Sequence, residues 1–168
     1  LGQLSRSYNQ SRDSEYKFGS GSGSLSYQKS YKKPDKILTF SYSLDANPLD
    51  QNVKSKIIAL MNYNNSELNS DNDAYSNEHT FQVDYYDPIS KKHQIETGVK
   101  YILRQNVSDT KVQIRNNESD PWIDDPSKVN DLDYTQHVGN FYGGYVLKHN
   151  KMTAKGGVRL EYTFNDGL

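Results

Sequence analysis

A chain of 168 residues is long enough for one domain with a core, yet only 33% of it is apolar and its mean hydropathy is -0.94, leaner than an ordinary soluble β-sandwich. Twenty basic and 21 acidic residues give a net charge of -1, which leaves no basic excess for nucleic acid and too little net charge for a simple disordered chain. The lack of cysteine removes disulfides and thiolate metal sites, and no apolar run approaches the roughly 18 residues of a transmembrane helix, although a β-barrel crosses with strands of about 9–11 residues that are apolar on one face only.

In chain order, residues 1–20 are polar and aperiodic and read as an arm or loop, possessing no apolar stretch of signal-peptide type. GSGSGS (19–24) lacks the strand–loop–helix setting of a phosphate loop. Six strand-like runs follow, marked by period-two alternation. The first is Ser22 to Tyr31, with Leu25 and Tyr27 on one parity. The second, Ile37 to Asp45, sets Leu38, Phe40, Tyr42 and Leu44 against Thr39, Ser41 and Ser43. The third, Thr80 to Tyr86, sets Phe81, Val83 and Tyr85 against Gln82, Asp84 and Tyr86. The fourth, Gln94 to Arg104, carries Ile95, Val99, Tyr101 and Leu103 on one side and Glu96, Gly98 and Lys100 on the other. The fifth, Tyr134 to Leu147, shows Phe141 and Tyr145 on one parity, but Val138, Tyr142 and Val146 on the other blur it. The sixth, Met152 to Thr163, opposes Val158, Leu160 and Tyr162 to Lys155, Arg159 and Glu161, and residues 165–168 form a tail.

The connections alternate in length. KKPDK (32–36), DPISKKH (87–93) and KHNK (148–151) are short, whereas 46–78 and 105–133 read as long loops. In PLDQNVKSKIIALMN (48–62) the residues Leu49, Val53, Ile57, Leu60 and Met61 fall on one helical face, so a short helix is expected there. Strict alternation in an up-and-down sheet puts short turns at one end and long loops at the other, as in outer-membrane barrels. The fold expected is all-β: an antiparallel meander of about six long strands in three hairpins, forming a segment of a transmembrane β-barrel.

The residues expected to face lipid are Phe40, Phe81, Val83, Tyr85, Ile95, Val99, Tyr101, Leu160 and Tyr162. The opposite face offers Asp84, Glu96, Lys100, Arg159 and Glu161, read as a structural network of the wall. Gly98, Gly139, Gly143, Gly144, Gly156 and Gly157 inside the strands signal curvature or close approach. DPWIDDPSKVND (120–131) holds the one tryptophan, Trp122, a candidate for contact with a ring-bearing ligand or for anchoring its own loop. The acids around it lack the spacing of a calcium loop, so no metal and no cofactor is assigned. His79, His93, His137 and His149 have no ligand spacing and read as solvated turn residues. N-x-[ST] at Asn64, Asn106 and Asn117 is no more than this composition yields by chance. No acid–base pair or nucleophile is placed with specificity, so no enzyme is expected.

VDYYDPISKKHQIETGVKYILRQN (83–106) resembles the D-Y-x-x-P, polar turn, E-x-G-x-K-Y hairpin of TonB-dependent outer-membrane receptors of Bacteroidetes type, grouped as an outer-membrane β-barrel protein family. DYTQHVGNFYGGYVLKHNKMTAKGGVRLEYT (133–163) resembles the next hairpin, ending in a G-[LV]-R-x-E-Y-T strand at Gly157 to Thr163. The resemblance covers roughly residues 20–163. It implies an internal piece of a barrel of about 22 strands, partnered by the remaining barrel and a plug domain, with TonB acting through the plug, in the outer membrane of a Gram-negative cell. It further implies import of a scarce or bulky ligand, contacted by residues 46–78 and 105–133. Its open edges invite self-association when isolated. The competing expectation is a soluble secreted β-sheet module that binds glycans through Tyr- and Trp-bearing loops, its apolar faces packed on each other.

Overall fold

The computed structural model describes residues 5–167. Leu168 of the expected tail and the first four residues of the expected arm lie outside that range. Eight strands follow one another: β1 (Ser7–Phe18), β2 (Gly21–Ser30), β3 (Ile37–Met61), β4 (Ser66–Asp87), β5 (His93–Arg115), β6 (Ile123–Asp124), β7 (Leu132–His149) and β8 (Met152–Gly167). A single 3-10 turn, Pro126–Lys128, is the one helical element among the described residues. The strands form one sheet in the order β1-β3-β4-β5-β7-β8, with β2 also on β3 and β6 on β5. The all-β meander expected from the alternation is therefore what forms.

β1 and β2 are physically one strand. From Tyr8 onward both pair antiparallel with β3 in a single register, Phe18 opposite Leu49 and Gly21 opposite Ala46. The break falls at Gly19, whose N–H donates to the Pro48 carbonyl at 3.1 Å. Pro48 has no N–H to return, so the reciprocal bond of the pair is missing. Counting β1–β2 once and setting aside the two-residue β6 gives six long strands, the expected number, with lengths the sequence understated.

Several expectations are corrected here, among them the tail at 165–168, since residues 165–167 continue β8 and pair with β7. Residues 7–18 are strand rather than a loose arm, because their backbone groups pair with β3. Residues 46–78 are not a long loop: β3 runs on to Met61, a turn follows, and β4 begins at Ser66. Nor is there a helix over 48–62. Leu49, Val53 and Ile57 are spaced by four, an even number, so they share a face of a strand as readily as of a helix. Val53 is buried on that face, while Leu60 sits on the other, exposed. In the stretch 105–133, β5 continues to Arg115 and only the connection before Leu132 is irregular.

The 25 residues of β3 are well over twice the about 9–11 that cross a bilayer core. The chain forms two compact units. Among the described residues, the first contains 5–19, 47–75 and 106–133, and the second 20–46, 76–105 and 134–167. Buried apolar side chains are few: Val53 and Val112 in the first unit, Ile102, Val138 and Val146 in the second. The reversals use residues that tolerate left-handed backbone, Asp35 (φ 58°), Asn62 (φ 50°) and Asn150 (φ 53°).

Candidate functional site

In the second unit the two faces of the sheet have opposite chemistry. One is apolar and open. Phe81 is 48% exposed, Val99 51% and Leu160 69%; Phe40, Val83, Tyr101 and Tyr162 are likewise exposed, and Tyr85 and Ile95 half-buried. A soluble sandwich would require a second protein layer over them, and none covers them among the described residues. Aromatic rings run across this face from strand to strand. Tyr27 lies 6.4 Å from Phe40, Tyr42 4.9 Å from Phe81, Phe81 6.3 Å from Tyr101, Tyr101 6.1 Å from His137, and His137 6.1 Å from Phe164.

Three of the four histidines depart from the expectation of solvated turn residues, while His149 stands exposed at the end of β7 as expected. His79 and His137 are inside strands, and their Nδ1 atoms meet the hydroxyls of Tyr42 (3.0 Å) and Tyr101 (2.7 Å). His93 opens β5 and pairs with the Tyr145 hydroxyl. Each takes a tyrosine on another strand, a non-local pairing that spacing along the chain does not reveal.

The other face is polar and cross-linked. Tyr142 donates to Asp84, and Gln82 donates to both the Tyr142 hydroxyl (3.1 Å) and Asp84 (2.8 Å). Arg104 joins Glu78 at 2.6 Å and Gln136 at 2.9 Å, and Lys155 joins Glu96 at 2.5 Å. Arg159 donates twice to Asn140 and once, at 2.8 Å, to Glu161. Asp84, Glu96, Arg159 and Glu161 thus enter the network expected of them; Lys100 joins no ion pair among the described residues, and Glu78 and Arg104 were not anticipated. Gly98 explains one expected close approach. The ring of Tyr142 lies over it, so a Cβ at position 98 would fall 2.7 Å from Cε2 and closer still to Cζ and Oη. The visitor is a side chain from β7, and Thr97 secures that strand by donating to the Tyr142 carbonyl at 2.9 Å. Gly157 is equally constrained, with 2.9 Å between its would-be Cβ and the Gly143 carbonyl oxygen.

At the short-turn end, Asp87 accepts from Lys33 at 2.6 Å and from the Tyr85 hydroxyl at 2.9 Å, with Lys36 at 3.3 Å. These bonds, that of Lys33 foremost, hold its carboxyl down to about 2. In the first unit Arg115 grips Glu67 and holds its carboxyl below the usual range, with Lys56 adding at 3.1 Å. The same guanidinium sits 4.6 Å over the Trp122 ring, and the neighbouring Ile123 pairs with Ile114 of β5. Trp122 is therefore fixed to its own unit and still part-exposed. A groove beside it, with a volume of about 540 Å³, is bordered by Arg12, Lys54, Asn69 and Glu118.

An apolar face left bare, an opposite face knit by polar side chains and a continuous antiparallel meander define a wall segment of a transmembrane β-barrel. The chain belongs to the outer membrane protein beta-barrel family, which matches it over residues 29–168, and its place is the outer membrane. Among solved structures it is similar to the ferric citrate transporter FecA in the unliganded form, with a TM-score of 0.37 and 10% identity, over 81% of this chain and 22% of that one. The chain therefore spans less than a quarter of that protein's length. No curated protein matches the sequence.

Proposed function

We propose that the chain is part of the wall and outer extension of a TonB-dependent receptor of Bacteroidetes type that imports a scarce or bulky ligand. The observation that carries this is the length of β3, β4 and β5, 22 to 25 residues each, where about 9–11 suffice to cross a bilayer. The surplus residues build the first unit, which is polar and grooved and offers a surface a ligand could meet. Trp122 and the groove beside it are the contacts offered there, with the rest of residues 46–78 and 105–133 around them.

In this reading the membrane-spanning parts are about 37–45, 79–86, 94–104, 137–147 and 154–164. Phe40, Phe81, Val83, Tyr85, Ile95, Val99, Tyr101, Leu160 and Tyr162 meet lipid, and the tyrosine hydroxyls bonded to histidine sit where the bilayer turns polar. The opposite face lines the lumen against a plug domain, through which TonB delivers work. The outer edges of β1–β2 and β8 pair with the remaining strands of the barrel, and in isolation they associate with other copies.

The test is genetic. Cells lacking the full-length protein and cells lacking TonB should fail on the same scarce nutrient across a panel of single sources. Uptake that survives loss of TonB, or a defect confined to small solutes, would make the barrel a passive pore instead.

A further inference from the structure

Three short turns, at 31–36, 88–92 and 150–151, close one end of the second unit. They are neighbours. Lys33 and Lys36 of the first reach Asp87 beside the second, and the Lys148 N–H beside the third donates to the Lys92 carbonyl at 2.7 Å. Residues 29–36, 87–93 and 147–153 together hold eight lysines and two aspartates, leaving twelve basic and nineteen acidic residues for the rest of the chain. The charge is thus segregated, although the whole is nearly neutral.

Lysines at exposed turns are ordinary, so what accompanies them decides the matter. Asp87 is already bonded to Lys33 and Lys36, whereas Lys32, Lys91, Lys92, Lys148 and Lys151 are exposed and form no ion pair among the described residues. Among these free cations stand bare apolar groups: Ile89 is 52% exposed and Met152 77%, with Tyr31 and Tyr145 also open. The Lys36 ammonium sits 5.0 Å from the Tyr31 ring centre and 5.4 Å from that of Tyr85. Apolar and aromatic groups at the level of unpaired ammoniums fit a bilayer surface, where acyl chains take the former and phosphates the latter.

We infer that this short-turn rim is a docking surface for anionic phospholipid headgroups of the leaflet on its side, the periplasmic one by the usual disposition of short turns. The inference rests on the membrane placement proposed above. Apolar contacts hold the rim at the interface, and the five free lysines concentrate anionic lipid around it.

The full-length protein would be reconstituted in phosphatidylcholine vesicles with and without phosphatidylglycerol, with spin-labelled forms of both lipids reporting contact. Severalfold selectivity for phosphatidylglycerol is expected at low salt, fading toward none near about 1 M salt as the charges are screened. Inorganic phosphate at matched ionic strength should leave it unchanged, separating a headgroup in a surface from a free anion. The K91Q/K92Q/K148Q/K151Q variant should insert normally and lose most of the selectivity. Equal association of both labels with the wild type overturns the inference, as does unaltered selectivity in the variant; should the variant not fold, the salt titration of the wild type still decides. A wild type that inserts in neither bilayer refutes the membrane placement itself.

Discussion

Gly98 and Tyr142 offer the sharpest test of how the wall is assembled. In Gly98→Ala the new methyl would fall 2.7 Å from Cε2 of Tyr142, so the ring has to swing away. In swinging it gives up its hydroxyl bonds to Asp84 and Gln82, a loss of about 0.5–1.5 kcal/mol each. The alanine returns roughly 0.5–1 kcal/mol, since glycine is the poorer strand residue. The net expectation is a destabilisation of up to about 2.5 kcal/mol, centred near about 1 kcal/mol, growing beyond about 3 kcal/mol for Gly98→Val if the backbone must also yield. Tyr142→Ala removes the obstacle, so Gly98→Ala in that background should be neutral or stabilising. The double-mutant cycle would therefore show strong coupling across 44 positions of sequence. Urea unfolding of the full-length protein in lipid vesicles, followed by heat-modifiable mobility, reads the four stabilities. A harmless single substitution, or effects that simply add, would show that the Tyr142 ring does not rest on Gly98.

Placing charge on the apolar face tests the lipid contact: Val83→Arg with Val99→Arg should cost about 2–4 kcal/mol for each charge near the midplane and block assembly, and normal heat-modifiable folding of the double variant would reject the placement. At the turn end, a carboxyl held near 2 rather than its ordinary 3.8 means that the Asp87 clamp contributes fully above about pH 3.8. That contribution should fade as pH falls toward 2. Protection of the Tyr31 and Lys36 amides, taken relative to their intrinsic exchange rates, should fall over that window and stay level with pH in Asp87→Asn. Pro48→Ala supplies the N–H missing opposite Gly19, so a slowly exchanging amide at position 48 is expected, and rapid exchange there would mean that β1 and β2 are truly separate. Arg115→Met should free the Trp122 ring and leave Glu67 to Lys56 alone, shifting the tryptophan emission, while an unchanged spectrum would argue against the contact.

Period two fixed what lies along a strand: which side chains share a face, where Phe81, Val83 and Val99 stand relative to Gln82, Asp84 and Gly98, and how tightly the three hairpins turn. Those are local consequences of backbone geometry. Strand length was not local. SELNSDNDAYSNE (66–78) carries little apolar signal, and it becomes strand because neighbours on both sides take its backbone groups. Residues 48–62 were ambiguous for a related reason, since a spacing of four satisfies helix and strand alike until pairing with Ser7–Phe18 chooses. Only tertiary structure brought Tyr142 over Gly98, Tyr101 to His137 and Arg115 between Glu67 and Trp122. Hydrogen bonds across a sheet join residues by register, and register is a property of two strands, not of either one alone.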